Sequence, residues 1–498
     1  MTKLSPLLLT LAISTSICAQ EKRLNFNNRL TLLKAIEIAH STSPTAQMAE
    51  LTFMSRYWSY RSYKAEFLPS INLNGGLAKY NHSIVEARDP ETGEINYVSN
   101  NTLSNNLSLS IDQRIALTGG TVSIESTLSR LDQFTYNYKT YNSEPISLRY
   151  TQPLRVFNSL KWQKKTAPLE YERSKRNYLQ TMENITIQTT HYFFSVLSAQ
   201  TSLANAQKNY DDTKRMYDIA KQRFAIATIT KSELLQLELS LLNSEMSIRD
   251  SRVAVEVAKF NLKFYLGIVN VSTLELAAPV SIPNIALEYD FVLARALKNS
   301  THSLNQEISR LSSEKTLAQA RSARGLQLQL NANLGLSKTA DEFSDVYSTL
   351  KDREIVGLTL SMPIFDWGLS KGKVKMSEAE LNLAQTEIEQ EEIKFRQDLM
   401  IKVLEFNNKT DQCAVAQKAM AIASERYEIM LDRFENGGVT VDNLNRAQDE
   451  MDAASNKYIS QLRAFWSAYY DIQKISLYDY INKQDIDQEF DNIINRQK

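Results

Sequence analysis

The hydrophobic and polar positions of this chain change period along its length. In Leu326–Leu336, LQLQLNANLGL, apolar residues take every second position, with Gln327, Gln329, Asn331 and Asn333 between them. Val356–Pro363, Ile146–Pro153 and Leu107–Asp112 alternate likewise. A period of two with one apolar and one small polar face predicts a strand between two unlike environments. A soluble sandwich gives the same pattern, so the aromatic residues decide between the two. Tyr80, Tyr97, Phe134, Tyr136, Tyr138, Tyr141, Phe343 and Tyr347 fall near one set of strand ends, and Phe157, Trp162, Phe365 and Trp367 near the other. Two aromatic girdles around an apolar band suit a membrane barrel.

At the strand-to-helix junctions Pro153 and Pro363 the alternation stops, because proline cannot donate to a ladder. Residues 158–222 then contain no glycine and a single proline, Pro168. At ~1.5 Å per residue this predicts a helix roughly 100 Å long. A second long helix is expected over 368–435, with return helices over 231–266 and 442–477. Residues 30–66 and 289–324 also read as helix. The long helices are rich in Ala, Gln, Ser, Glu and Lys, with apolar residues enough for seams but not for a globular core. A coiled coil or helical tube is the natural use.

The pattern occurs twice. An offset of 210 positions pairs Leu148 with Leu358, Pro153 with Pro363, Ile219 with Ile429, Arg223 with Arg433 and Phe224 with Phe434. Upstream the offset is 259, pairing Ala35 with Ala294, Thr42 with Thr301, Asn72 with Asn331, Asn74 with Asn333 and Gly76 with Gly335. The difference, 49 residues, is an insertion in the first copy between Leu77 and Ile146. Residues 78–145 there face only 337–355 in the second copy. Within the insertion, 103–131 has the form strand–Thr118-Gly119-Gly120–strand, a hairpin. Segments 81–101 and 132–145 read as extracellular loops. The expected division is a leader over 1–19, a first repeat over 20–280, a second over 281–480 (strands 326–336 and 355–362) and a polar tail over 481–498.

Four strands per chain cannot close a barrel, whereas three chains supply twelve, or eighteen if the hairpin joins the wall. The N-terminus, MTKLSPLLLTLAISTSICAQ, has a lysine, an apolar run and a small-residue site ending at Ala19, the layout of a secretory leader. Ile17 is a poor fit to lipidation at Cys18. No later stretch approaches the ~20 apolar residues of a spanning helix. The chain has 57 basic and 57 acidic residues, so its charge does not call for nucleic acid.

A leader, two copies of helix–strands–long helix–turn–helix, and an R-F-x-x-G-like turn followed by V-D-x-L resemble the TolC-type outer-membrane efflux protein family. The resemblance spans about Leu30 to Tyr480. It implies a mainly α fold, a homotrimer whose strands pool into one transmembrane β-barrel and whose helices pool into one periplasmic tunnel. It implies outer-membrane lipid around the barrel, a periplasmic adaptor, and an inner-membrane pump or ABC transporter as partners in a Gram-negative cell, with no cofactor and no metal. The turns at the periplasmic tip are expected to hold Arg223, Phe224, Thr230 and Leu234 in the first copy, and Arg433, Phe434, Gly437, Gly438, Thr440 and Leu444 in the second. In the family the second turn carries acids that ring the constriction. Asp442 occupies that place, while Asn445 and, in the first copy, Ser232 and Leu235 depart from it. Three like charges around an axis favour cations; alternatively Asp442 only opens the return helix, where a carboxylate suits the dipole. Tyr217 and Tyr427 are expected to pack neighbours.

Catalytic chemistry is thin. His40, His82, His191 and His302 are scattered without ligand spacing, and His82 with Glu86 reads as a solvated pair. There is no GxSxG, Walker loop or CxxC. The acidic run at Glu387–Glu392 reads as a solvated helix face. Two readings rival this one: an exported trimeric coiled-coil or adhesin without a channel, and a secreted glycan-acting or other enzyme with a β-domain, which would need convergent carboxylates or a nucleophile motif that the sequence does not offer.

Overall fold

A computed structural model describes residues 30–88, 91–268, 275–277, 282–488 and 490–496. The leader, Cys18 and Asp89-Pro90 lie outside the described residues. Two helices, α1 (Leu32–Thr42) and α2 (Pro44–Ala65), lead into strands β1 (Ser70–Arg88), β2 (Ile95–Arg114), β3 (Thr121–Gln133) and β4 (Tyr138–Pro153). There follow the long helix α3 (Ser159–Ala225) and its return α4 (Lys231–Leu266). The second half runs α5 (Tyr289–Asn299), α6 (His302–Arg324), β5 (Gln327–Ala340), β6 (Lys351–Ser361), α7 (Leu369–Glu435) and α8 (Val441–Ser476). The chain closes with β7 (Tyr478–Asp479), β8 (Gln484–Asp485) and α9 (Phe490–Arg496).

The long helices are 67 residues each and their returns 36 each. Each start is fixed locally. Asn158 accepts from the Lys161 N–H at 3.0 Å, and Asp366 accepts from the Gly368 and Ser370 N–H groups at 3.1 and 2.8 Å. These bonds satisfy donors that the first turn leaves without partners.

The segments 30–66 and 289–324, expected as single helices, are each broken. Ser43 caps α2 by accepting from the Ala46 N–H at 3.1 Å, with Pro44 at the first helical position. Ser300 and Thr301 separate α5 from α6. These short helices surround the middles of α3, α7 and α8, where Phe193, Phe194, Phe406, Phe465 and Tyr469 form the main core. The expected polar tail is ordered over its described part: Ile493 and Ile494 of α9 are buried against Phe53, Tyr178 and Leu179. Burying two such side chains contributes about 3–6 kcal/mol.

The six long strands form one antiparallel sheet in the order β1-β2-β3-β4-β5-β6. The inserted hairpin therefore joins the sheet, as β2 and β3. Residues 81–101 and 132–145, expected as loops, are mostly strand. β1 and β2 remain paired out to Arg88 opposite Ile95, and the β3–β4 connection spans only 134–137. His82 and Glu86 lie on this ribbon. One chain does not close a barrel: β1 and β6 are unpaired edges of an open sheet. Among the described residues no helix is long and apolar enough to cross a membrane.

Candidate functional site

Two surfaces carry the chain's unusual chemistry, the faces of the sheet and the far tip of the helices. The strand register aligns Ile71, Ile111, Ile124, Leu148 and Leu334 in one row across five strands. All five are exposed, by 41–72 %. On the other face Asn72, Ser110, Glu125, Ser147 and Gly335 form the neighbouring row, in which Ser110 and Ser147 are only 8 % and 2 % exposed. The sheet thus curls toward its small polar face and turns its leucines outward. Among the described elements none covers it as a second layer. An apolar area of this size without cover is an interaction surface.

The polar face is internally paired. Glu125 meets Arg149 at 2.7 Å, Glu144 pairs with Arg353, and Asp112 accepts from Asn72 and Ser110 at 2.8 Å each. Tyr80 and Tyr97 lie exposed on the β1–β2 ribbon, on the same face as the leucines. Phe365 and Trp367 are exposed beyond Pro363, at the helix end, while Phe157 and Trp162 are half-buried. At the other junction Pro153 ends β4, and the Leu154 N–H donates to the Leu328 carbonyl at 2.8 Å.

At the tip the structure brings the expected residues of both turns together. Thr230 accepts from the Glu233 N–H at 3.2 Å while Glu233 accepts from the Thr230 N–H at 2.8 Å. That backbone bond and the Thr230 hydroxyl hold the Glu233 carboxyl below its usual range. Thr440 caps α8 through the Asn443 N–H at 3.4 Å. Leu234, Phe434 and Leu444 are buried in one cluster with Met216, Leu237, Tyr427 and Met451, which zips the two helical hairpins together. Phe224 stays 39 % exposed, beneath the Lys231 ammonium.

The two turns differ in chemistry but share a backbone. Gly437 has φ +82° and Ala227, its counterpart at the 210 offset, φ +58°. In each, the next N–H reaches back to an arginine carbonyl: Gly438 to Arg433 and Thr228 to Arg223, both at 2.9 Å. Glycine adopts this left-handed geometry freely and alanine does not.

The arginines play unlike parts. Arg223 donates to the carbonyls of Phe434 and Glu435 at 3.3 and 2.8 Å, crossing from the first hairpin to the end of α7. The Arg433 side chain is exposed. Asp442 lies in the first turn of α8, 61 % exposed, paired with Arg446 at 2.8 Å. A cavity of about 610 Å³ between the turns is lined by Arg223, Ile229, Glu233, Phe434, Gly437 and Asn443 among others.

Sequence reasoning missed the cross-links above the tip. The Tyr427 hydroxyl donates to Asp212 at 2.8 Å, Arg215 pairs with Glu435 at 2.6 Å and Lys208 with Glu428 at 3.6 Å. Burial and the Asp212 carboxylate push the Tyr427 phenol upward. A signal existed: at the 210 offset Asp212 faces Ile422, so the acid belongs to one copy only. Among the described residues no group of His, Cys, Asp and Glu is placed to hold a metal.

The sequence profile of outer membrane efflux proteins matches residues 35–268 and 292–475. A comparison with curated protein sequences finds no match. Solved structures with the same fold include the Campylobacter jejuni CmeC outer membrane channel (15 % identity, 94 % of this chain and 89 % of that one, TM-score 0.64). The outer membrane protein VceC of Vibrio cholerae is also similar (11 %, 89 % and 95 %, 0.61), as is the open state of the Neisseria gonorrhoeae MtrE outer membrane channel (14 %, 89 % and 88 %, 0.60). By the profile match over most of its length, the chain belongs to the outer membrane efflux protein family.

Proposed function

We propose that this chain is the outer-membrane exit duct of a tripartite efflux or type I secretion system, acting as a homotrimer. Its carrying observation is the six-stranded sheet, with exposed leucines on one face, paired polar groups on the other and two open edges. Three such sheets joined edge to edge leave no unpaired strand, and lipid covers the leucines. The helices offer a second reason for sister chains. Leu235, Leu239, Leu242, Met246, Val253, Val257, Phe260 and Phe264 form an exposed stripe on α4 at three- and four-residue steps, with one step of seven between Met246 and Val253. Ile401, Leu404, Val415, Ile422 and Ile429 are exposed on α7 at steps of three, eleven, seven and seven, which keep them on one helix face. Such seams are coiled-coil faces awaiting a partner.

In this reading the duct is a passive, non-enzymatic conduit spanning from the outer membrane into the periplasm of a Gram-negative cell. An inner-membrane pump or ABC transporter supplies the energy, and a periplasmic adaptor docks at the helical tip. Asp442 of three chains surrounds the constriction, each carboxylate tempered by its own Arg446. An exported coiled-coil trimer without a channel gives no reason for leucines facing outward from the sheet.

The test is insertion and conduction. Leu358→Lys places a charge on the apolar face, at a cost of about 2–4 kcal/mol at the bilayer midplane, and should abolish outer-membrane trimers. Asn331→Lys, on the other face, should assemble and conduct in a planar bilayer. Equal insertion of the two variants would sink the proposal. Asp442→Ala should lose cation preference; unchanged selectivity removes the ring while leaving the duct.

A further inference from the structure

The two strands that the second half lacks are β2 and β3. By the offsets of the repeat, β1 corresponds to β5 and β4 to β6. β5 and β6 pair directly, with Leu330 opposite Leu358. The counterparts of these two residues, Ile71 and Leu148, do not pair. They stand on one level row, Ile71–Ile111–Ile124–Leu148, with one residue of β2 and one of β3 between them. The insertion has therefore entered the sheet at unchanged register, parting β1 from β4 by two strands. A hairpin that merely decorated the surface would leave β1 beside β4.

The inserted pair is also fastened at its helix end. Gln152 donates to the Thr118 carbonyl at 3.0 Å and the Asn158 amide to the Ala116 carbonyl at 3.2 Å. The same Asn158 caps α3. At Gly120 a Cβ would lie 2.9 Å from the Thr151 carbonyl, so the turn is seated against the end of β4.

We infer that β2 and β3 widen the bore of the duct, so that its membrane segment passes bulky hydrated solutes and leaves size selection to the periplasmic tip. The inference rests on the trimeric duct proposed above. Six strands per chain give a wall of eighteen where four would give twelve. With strands ~4.8 Å apart and tilted ~40°, the backbone diameter grows from about 24 Å to about 36 Å. Side chains take up roughly 10 Å of either, leaving bores of about 14 and about 26 Å. The lining face is mainly Ser, Thr, Asn and Gln; it also carries Asp112, which accepts from Asn72 and Ser110, and Lys79, while Glu125 and Glu144 are each held by an arginine.

The test uses the full chain in intact outer membranes. Asn74→Cys sets an exposed thiol on the polar face of β1, and Leu73→Cys sets its neighbour on the apolar face; both lie outside the insertion. Cys413 is fully buried and stays silent. Maleimide-tagged polyethylene glycols of graded size are added from outside. A probe about 20 Å across, which fits an eighteen-strand bore and not a twelve-strand one, should label Asn74→Cys within a few-fold of the rate of a small charged maleimide. Leu73→Cys should react with neither. Replacing residues 78–145 by a copy of 337–355, the chain's own short connection, in the Asn74→Cys chain should exclude the large probe while admitting the small one. The inference is overturned if Asn74→Cys takes the small reagent and refuses the large, or if the replaced chain still admits the large. If Asn74→Cys and Leu73→Cys behave alike toward the small reagent, the duct reading itself fails.

Discussion

Arg223 is one residue whose loss should loosen the helical tip, and the repeat supplies its control. Its guanidinium bridges the two hairpins by donating to the Phe434 and Glu435 carbonyls, at the negative end of the α7 dipole. Arg223→Met keeps most of the aliphatic length and deletes both bonds. Hydrogen bonds from a charged donor contribute about 1.5–3 kcal/mol each when buried. With the group half-exposed and water able to take over the carbonyls, about 2 kcal/mol for the pair is reasonable. One factor of ten corresponds to ~1.4 kcal/mol, so the tip should open roughly 30-fold more often. Amide hydrogen exchange over residues 434–444 reads this directly, and open probability in a planar bilayer reads its consequence. Arg433→Met removes the same charge from the matching position, where the side chain is exposed, and should change exchange less than about twofold. If both variants act alike, or if Arg223→Met leaves exchange untouched, the bridge does not hold the tip shut.

Glu183 is buried in the helical core, and burial, with Asp479 nearby, raises its carboxyl from 4.5 to about 7 against the opposing Gln473 bond. The folded state therefore keeps a proton that the unfolded chain gives up, and stability falls as pH rises from about 4.5 to about 7, by about 3 kcal/mol in all. Melting at pH 5 and pH 8 should show that loss in the wild type and a much smaller one in Glu183→Gln. Gly437→Ala puts a Cβ into left-handed backbone 3.5 Å from the Arg223 guanidinium and should cost about 1–2 kcal/mol, measured as faster exchange at Gly438. Leu444→Ala empties a fully buried position in the tip cluster. It should cost about 2–5 kcal/mol and make the turns susceptible to proteolysis while α1 and α5 keep their protection.

What could be read in the sequence was what is local or repeated. Thr230 and Thr440 stand just before apolar spacing begins, and both prove to be helix caps. Leu326–Leu336 alternates because its two faces meet different surroundings. Residues 95–101, INYVSNN, lack that contrast: they belong to the β1–β2 ribbon beyond the end of β3, where the alternation that marks a strand is gone. They read as loop for this reason. The break at Ser43-Pro44 carried a visible cap-plus-proline signal, overridden by the helical spacing on either side. Ile493 and Ile494 were hidden among polar neighbours, and their site is made with Phe53, Tyr178 and Leu179, more than 300 positions away. The Arg223 bridge spans 211 positions, and no local pattern announces it.

The equal lengths of the paired helices act as a gauge. Removing one residue from α3 would retract everything below it by ~1.5 Å and turn it by ~100°, pulling Asp212 away from Tyr427 and Arg223 from the end of α7. Compensating edits would have to fall in all four long rods, in steps near seven. Among the described residues the 49-residue insertion lies accordingly in the sheet, which accepts two more strands, and none lies in the long helices, whose lengths match pair by pair.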